Sequence, residues 1–175
     1  MSPTSVATTV VFYTDGSQGT LEGKTTNSAA ICRISANQAP IIANCWNLGP
    51  SIEVADAEVI GIIKALEQSS QIITTGPTTF YLFVDSQAAI QRLQGYTYHA
   101  VKAQRLTRLL VNKGHKVEIQ WCPSHVGVIG NEIADQLAKQ GLEKKPEKDT
   151  YVSLAYLRRK AKVELKEAWK ANWLV

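Results

Sequence analysis

The sequence predicts an α/β fold in which a mixed five-stranded sheet carries helices on both faces, with one further helix at the C-terminus. Three segments rich in β-branched and aromatic residues come first along the chain, before any helical pattern. Two further segments of this kind are then separated by stretches of helical periodicity. The resulting order, βββαβααβαα, has no internal repeat and is typical of a mixed sheet covered on both faces. At 175 residues and 45% hydrophobic, the chain can bury one substantial core.

The first three strands are predicted ahead of the first helix. Residues 6–14 are rich in β-branched and aromatic side chains and end at an Asp-Gly pair, which indicates a strand running into a turn. Residues 18–27 contain two glycines and are interpreted as a hairpin connection. Residues 28–35 and 41–47 follow as two further paired strands. Asp15 is therefore expected at the carboxyl end of a strand, where open α/β sheets usually have their sites.

The later elements follow from periodicity and from helix-stop signals. Apolar residues recur at helical spacing from Ile52 to Leu66, and a Gly-Pro pair then breaks the pattern before the next strand. Gly95, Gly114 and Gly141 each follow a helical pattern and predict its end. The predicted elements are a helix over 52–69, a strand over 79–84, helices over 86–94 and 99–112, a strand over 117–122 and a helix over 131–140.

The C-terminal segment differs from the rest in charge. Residues 1–138 carry a net charge of −1, whereas residues 139–175 carry +5. We predict a main domain over residues 1–142, and a basic linker with an amphipathic helix over 143–175 that packs on the same domain. Ser153 is the expected cap of this helix. Its apolar stripe is predicted to consist of Leu154, Leu157, Ala161, Leu165 and Trp169.

Two interpretations of this last helix stay open. Its basic residues lie opposite the apolar stripe, and Trp169 and Trp173 are spaced at i, i+4. Such tryptophans commonly dock a helix onto a core, and we expect docking here. Aromatic and basic side chains together also bind single-stranded nucleic acid.

Composition excludes several classes of protein. No apolar stretch approaches the ~20 residues of a membrane span, and the first nine residues lack the pattern of a secretory signal. We therefore expect an intracellular protein, nuclear or cytoplasmic, without a membrane partner. Cys32, Cys45 and Cys122 are widely spaced and lack metal-binding companions, so they are predicted to be small core residues in a reducing compartment.

Four carboxylates, each in its own short motif, carry the chemical information. Three of them lie where an apolar run ends or a helical pattern is under way; the four are Asp15, Glu58, Asp85 and Asp135. Carboxylates at the edge of a core repel each other and lose solvation unless a cation joins them. Oxygen-only ligands indicate Mg²⁺ or Mn²⁺ rather than zinc. Two such ions ~4 Å apart serve in-line phosphoryl chemistry, so the set indicates a nuclease.

The same motifs carry a resemblance to a known family. They are TDGS at 14–17, AE at 57–58 with ALE at 65–67, VDSQ at 84–87 and WCPSHVGVIGNEIADQLA at 121–138. In this order the chain resembles type 1 ribonuclease H domains, in the compact form carried by retrotransposon (non-LTR reverse-transcriptase) polyproteins. The resemblance implies a ribonuclease H-like fold and hydrolysis of the RNA strand of RNA–DNA hybrids, with 5′-phosphate and 3′-hydroxyl ends.

The resemblance also implies catalytic roles. Asp15 would bridge two Mg²⁺ ions, for which Mn²⁺ would substitute, and Asp85 would be the second central ligand. Glu58 would hold one ion and help to position the RNA, and Asp135 would complete the second site. His125 would shuttle protons or help product leave; its alternative is a surface histidine.

Substrate contacts follow in the same way. Gly16, Ser17 and Gln87 would lie at the RNA strand and sense its 2′-hydroxyls, although Ser17 is also compatible with a plain turn residue. Asn131 would contact the edge of the site or cap the helix that it opens. Glu132 would lie beside the second metal or be a helix N-terminal charge. By contrast, His99 and His115 are predicted to be solvated.

Helical spacing suggests one further phosphate contact. Lys102, Arg105 and Arg108 fall at i, i+3 and i+6 on the 99–112 helix and form a basic stripe, which either binds phosphate or is only a solvated face. The chain also departs from cellular family members. These carry a Thr-Asn-Asn-like run that grips a DNA phosphate, where this chain has Glu53, Val54 and Ala55. The DNA-strand contact is therefore expected to differ.

The alternative function is a catalytically silent ribonuclease H-like binding or connection domain of a retroelement polyprotein. Loss of catalysis usually removes a carboxylate, and all four are present. An integrase would place Glu last, and an Asp-x-Glu exonuclease motif is absent from the first strand. We expect a monomer that binds RNA–DNA hybrid, with a neighbouring reverse-transcriptase domain as a further partner. Both a free-standing enzyme and a polyprotein domain fit these motifs.

Overall fold

A computed structural model describes residues 8–146 and 152–173 of the chain. Within these residues the elements follow the predicted order, and the C-terminal helix is present. They are β1 (Thr8–Leu21), β2 (Lys24–Ile34), β3 (Pro40–Gly49), α1 (Val54–Gln71), β4 (Thr78–Val84), α2 (Gln87–Arg92), α3 (Tyr98–Asn112), β5 (Lys116–Trp121), α4 (Ile129–Gly141) and α5 (Leu154–Trp173). Among the described helices, none has the length and apolar character needed to cross a membrane.

The strands form one mixed sheet in the order β3-β2-β1-β4-β5. β1, β2 and β3 pair antiparallel, whereas β4 lies parallel to both β1 and β5. The predicted mixed five-stranded sheet is therefore confirmed. In this arrangement β1 is central, with an antiparallel neighbour on one side and a parallel neighbour on the other.

β1 is longer than predicted. It pairs with β2 without interruption from Val11↔Ile34 to Leu21↔Lys24, so the predicted connection over residues 18–27 is wrong. The turn consists of Glu22 and Gly23, whose φ angles of 50° and 75° suit a tight hairpin. Asp15 thus lies inside β1 rather than at its end, at the level where the parallel pairing with β4 stops. Residues 6 and 7 of the predicted strand lie outside the described residues.

Helices α1 and α4 cover opposite faces of the sheet. A Cβ added at Gly61 of α1 would lie 3.4 Å from the Thr14 side chain, whereas one at Gly130 of α4 would meet the Tyr13 ring. Successive side chains of a strand point to opposite faces, so the two helices lie on different sides of β1. The main core, which includes Phe12, Phe80 and Leu66, lies on the α1 side together with α3.

The far end of α4 is tied to the antiparallel half of the sheet by buried polar groups. The Asn47 amide donates to the carbonyls of Leu142 and Lys144, at 2.9 and 2.8 Å. The Ser28 hydroxyl donates to the Ala138 carbonyl. These hydrogen bonds hold α4 over β1 and β2 and thereby orient the start of α4 toward the middle of the sheet.

The three cysteines are buried and free, as expected of core residues.

α5 begins as predicted, but its apolar stripe is exposed. The Ser153 hydroxyl accepts a hydrogen bond from the Tyr156 amide at 3.1 Å, which confirms the predicted cap. However, no residue of α5 is buried, and Leu165, Trp169 and Trp173 are 70%, 64% and 71% exposed. The apolar stripe is therefore exposed in the structure and not packed against the body as we expected.

Candidate active site

Three carboxylates lie close together where the parallel pairing of β1 with β4 ends. Asp15 follows Thr14, which pairs with Val84, and Asp85 comes directly after Val84 at the end of β4. Glu58 reaches the same point from α1. One oxygen of each carboxylate lies within 4.8 Å of the others. The structure therefore brings together three of the four predicted metal ligands.

Burial and mutual repulsion raise the pKa of two of these groups. Asp15 is only 6% exposed, and its pKa is raised to about 7, first by burial and then by the negative charges of Asp85 and Asp135. The pKa of Glu58 is raised to about 9, first by burial and then by Asp15 and Asp85. A hydrogen bond from the Gly16 backbone opposes both shifts without cancelling them. The positive charge of Lys139 also opposes the shift at Asp15, so the raised pKa values indicate an excess of negative charge at the site.

The residues present fit a divalent cation. Within the described ranges, Glu58 Oε2 is buried and has no hydrogen-bond partner. A buried carboxylate oxygen without a partner is costly, and a cation is the usual means of satisfying one. The three ligands offer only oxygen, which is the donor that Mg²⁺ and Mn²⁺ prefer. Asp15, Glu58 and Asp85 are thus suited to hold such an ion.

Gly16 allows the close approach of α1 to β1. A Cβ added at Gly16 would lie 2.6 Å from the Glu58 amide nitrogen and 2.9 Å from the Ala57 carbonyl carbon. Both are backbone atoms, so the helix itself would have to move. The glycine therefore sets the distance between Glu58 and Asp15.

We expect Gly16→Ala to destabilise the protein by about 1–3 kcal/mol, because it overpacks a helix–strand contact. The melting temperature should fall by about 2–4 °C for each kcal/mol in a chain of this size. Any catalytic activity should fall about 10²-fold, since a 1 Å displacement of Glu58 is enough for that. Gly76→Ala is the matched control, because nothing lies within 4 Å of a Cβ at Gly76. Equal melting temperatures for the two variants would contradict this account.

Asn131 contacts the site directly. Its Nδ2 donates to Asp85 Oδ2 at 3.2 Å, and its side chain is buried. The N-cap of α4 is Val128, so the capping interpretation of Asn131 is wrong. The indole nitrogen of Trp121 donates to the Asp85 backbone carbonyl at 3.1 Å. Trp121 was not predicted to be a positioning residue. The signal for it in the sequence was its place near the end of the predicted strand over 117–122, as the first residue of the motif at 121–138.

Asp135 lies apart from the three-carboxylate group. Its Oδ2 accepts a hydrogen bond from Lys139 at 2.6 Å, one turn along α4. It is nevertheless close enough for its charge to raise the pKa of Asp15. Glu132, in the first turn of α4, accepts a hydrogen bond from the Gly127 amide at 3.4 Å. The assignment of Asp135 to a second metal site stays a prediction.

The other predicted site residues lie on three elements and in one loop. His125 is exposed, with a φ of 55°, in the loop between β5 and α4. Ser17 lies on β1 opposite Ser28, so its interpretation as a turn residue is wrong. Gln87 is exposed and is the first residue of α2. Lys102, on α3, pairs with Glu67 at 2.7 Å.

Arg105 and Arg108 are exposed on α3 and line a shallow depression together with Lys113. The prediction that His99 is solvated is wrong, because the side chain is buried and burial lowers its pKa. His115 is half-buried, and its Nδ1 accepts a hydrogen bond from the Thr78 amide at 3.3 Å. The two histidines therefore have structural roles at the ends of α3 and β4.

A sequence model of one protein family, RNase H, matches residues 7–143. The chain belongs to the RNase H family. Among curated proteins, it is 32% identical over 103 residues to Ribonuclease H of Polaromonas naphthalenivorans (strain CJ2), covering 50% of this chain and 61% of that protein. It is 49% identical over 41 residues to Ribonuclease H of Polaromonas sp. (strain JS666 / ATCC BAA-500), covering 23% and 26%. The chain thus spans under two thirds of these RNase H relatives.

Solved structures share the RNase H fold at low sequence identity. RNase H1 from the halophilic archaeon Halobacterium salinarum NRC-1 is similar with a TM-score of 0.57 and 22% identity, covering 77% of this chain and 98% of that one. The native protease-reverse transcriptase of prototype foamy virus is similar with a TM-score of 0.61 and 21% identity, covering 78% of this chain and 21% of that one. These likenesses support the assignment of the fold.

Proposed function

We propose that this chain is a metal-dependent endonuclease that hydrolyses the RNA strand of RNA–DNA hybrids. The observation that carries the proposal is the group of Asp15, Glu58 and Asp85 at the edge of the sheet of an RNase H family member. A foamy viral protease-reverse transcriptase with a TM-score of 0.58 to this chain has been solved in complex with an RNA/DNA hybrid. That complex supports the choice of substrate.

The proposed cofactor is Mg²⁺, bound as two ions, with Mn²⁺ able to substitute. Asp15 and Asp85 would be the central ligands, Glu58 would hold one ion and Asp135 would complete the second site. When bound, the ions supply an activated water and stabilise the leaving 3′-oxygen, which leaves a 5′-phosphate and a 3′-hydroxyl. Asn131 holds one oxygen of Asp85 at 3.2 Å and so leaves the other free for a ligand bond.

The chain's own groups have distinct tasks in this mechanism. The carboxylates are held in place before substrate binds, so little reorganisation is needed when the phosphate becomes more negative. His125, in the exposed loop between β5 and α4, would shuttle protons or help product leave. Gly16, Ser17 and Gln87 would contact the RNA strand and sense its 2′-hydroxyls. Lys102 and Arg105 would contact phosphates of the nucleic-acid backbone.

We also propose a domain organisation. Residues 1–142 would form the catalytic domain, with 143–175 as a basic linker and helix. A retroelement origin, with a reverse transcriptase as neighbour, is supported by the likeness to the foamy viral protease-reverse transcriptase. Three buried, unpaired cysteines are typical of an intracellular protein. We propose a monomer.

The test is cleavage of a hybrid whose RNA strand is end-labelled, with Mg²⁺, Mn²⁺ or EDTA. We expect metal-dependent cutting of the RNA in the hybrid, with no cutting of matched duplex DNA or duplex RNA. Asp85→Asn should remove the activity, because it removes a charge from the ligand group. The ends of the products should carry 5′-phosphate.

Circular dichroism checks that each variant is folded. A folded parent chain that binds the hybrid but cuts it with neither metal would overturn the nuclease proposal in favour of a silent binding domain. Cutting in EDTA would overturn the role of the cation.

A further inference from the structure

Helix α5 carries an exposed row of cationic side chains. Arg159, Lys162, Lys166 and Lys170 are spaced at i, i+3, i+7 and i+11, and Trp173 follows at i+14. At 3.6 residues per turn, these positions form one line along the helix. All of them are exposed. We call Arg159, Lys162, Lys166 and Lys170 the basic stripe.

The charges of α5 are unevenly distributed around the helix. It holds six Lys and Arg residues against two acids, Glu164 and Glu167. Glu164 lies on a different side from the basic stripe and pairs there with Lys160 at 3.8 Å, whereas Glu167 lies at the edge of the stripe, three residues before Lys170. The helix therefore keeps an excess of four positive charges.

The basic stripe begins at the catalytic body. Arg159 Nε donates to Glu53 Oε1 at 2.8 Å, and the Ser153 amide donates to the Ser51 carbonyl at 3.0 Å. Glu53 is the N-cap of α1, five residues before Glu58, which corresponds to about 7.5 Å along the helix. The start of the stripe is therefore tied to the end of α1 that carries Glu58.

The other end of the stripe carries two tryptophans. The rings of Trp169 and Trp173 lie 5.2 Å apart with an interplanar angle of 38°. They are 64% and 71% exposed, so both side chains are accessible to a ligand. Base stacking on aromatic rings combined with a basic track is how proteins hold single strands without sequence preference.

We propose that α5 is a second nucleic-acid-binding element, which holds single-stranded nucleic acid that continues from the hybrid at the active site. The position of the hybrid in this inference rests on the proposed function. The basic stripe contacts phosphates, and Trp169 and Trp173 stack on unpaired bases. The paired bases of a duplex do not offer such faces, so the ligand at this end of α5 is single-stranded. The distance from Arg159 to Trp173 is about 21 Å, or about six nucleotides at the duplex rise.

The distribution of side chains favours this ligand over a membrane surface. A membrane-surface helix puts Trp and Leu together on one face, with Lys and Arg on the other. In α5, Trp173 continues the line of Lys166 and Lys170, and Trp169 lies at the border between the basic stripe and the apolar stripe, one turn after Leu165. The two tryptophans thus lie along the basic stripe or at its border, not in the middle of the side that carries Leu154 and Leu157.

The experiment measures binding of labelled nucleic acid by fluorescence anisotropy in EDTA, which prevents metal-dependent cutting. Two probes are compared: a blunt hybrid, and the same hybrid with a single-stranded extension of about 12 nucleotides, which exceeds the length of the stripe. We expect the extended probe to bind at least about tenfold more tightly. Trp169→Ala/Trp173→Ala should remove that gain, because stacking on each ring contributes about tenfold or more.

A matched pair of lysine variants tests the basic stripe. Lys166→Gln should reduce the slope of log K against log salt concentration by about 0.7 for the extended probe. This is the value for one phosphate contact to a single strand. Lys160→Gln removes the same charge from the other side of α5 and should leave binding unchanged. Equal effects of the two substitutions would overturn the inference.

Three other outcomes also test whether α5 binds single-stranded nucleic acid. Equal affinity of the parent chain for both probes overturns the inference, whether or not the chain cuts hybrids. If vesicles with anionic lipids bind α5 and compete with the oligonucleotide, or if α5 mediates dimers in sedimentation, the ligand assignment is wrong. Tight, tryptophan-dependent binding of the extended probe without hybrid cutting would support α5 and overturn the nuclease proposal alone.

Discussion

Asp15→Asn is expected to reduce hybrid cleavage by at least about 10³-fold, since loss of a single preorganised electrostatic contact already costs about 10²–10³-fold. One oxygen of Asp15 lies within 4.8 Å of an oxygen of Glu58 and one of Asp85, and its charge raises the pKa of Glu58. The loss should appear in kcat rather than in KM, because substrate contacts lie elsewhere. Steady-state cleavage of a labelled hybrid measures both quantities.

The same substitution should raise the melting temperature of the metal-free protein by a few degrees. It removes a buried negative charge whose pKa is raised to about 7 by burial, Asp85 and Asp135. A gain of about 1 kcal/mol corresponds to about 2–4 °C in a chain of this size. Glu22→Gln, in the exposed turn between β1 and β2, is the control and should change neither cleavage nor stability. Retention of more than a tenth of the activity by Asp15→Asn would contradict the central role of this residue.

Divalent cation binding at pH 7 is expected to release between about one and two protons. The pKa of Glu58 is raised to about 9 and that of Asp15 to about 7, so the metal-free site holds protons that the cation must displace. Affinity for Mn²⁺ or Mg²⁺ should therefore increase as the pH rises from 6 to 9. Isothermal titration calorimetry in two buffers of different ionisation enthalpy measures the number of protons.

The metal-free protein should lose stability over the same range of pH. Glu58 has an ordinary pKa of 4.5 when unfolded and about 9 when folded, so between these values the folded state holds a proton that the unfolded state has released. The contribution of Glu58 to the free energy of unfolding is then largest below about pH 4.5 and falls as the pH rises toward 9. Denaturant unfolding at several pH values in EDTA measures it.

Glu58→Gln is the decisive variant for this prediction. It should lower the proton release by about one and flatten the dependence of metal-free stability on pH, because the titrating group is gone. A variant that releases as many protons as the parent chain would show that another group carries the shifted pKa.

Local sequence was sufficient to predict most elements and the three carboxylates that the structure brings together. The helical pattern over 52–69 and the strand before Asp85 were predicted to within about two residues of α1 and β4, because each has strong periodicity and a clear breaker. By contrast, the second half of β1 was missed. Residues 15–20 contain two glycines and no apolar side chain, so they have no strand pattern of their own. They are extended because β2 pairs with them to the turn.

The sequence by itself determined the order of the elements, the mixed sheet, the cap of α5 and the choice of Asp15, Glu58 and Asp85 as carboxylates that come together. Those conclusions depend on short-range patterns and on motifs in a fixed order. Only the tertiary structure decided what Asn131 and Arg159 do, because their partners, Asp85 and Glu53, are 46 and 106 residues away along the chain. It also decided that α5 lies exposed. An amphipathic pattern predicts a helix, but whether its apolar side is buried depends on what surface the rest of the fold leaves uncovered.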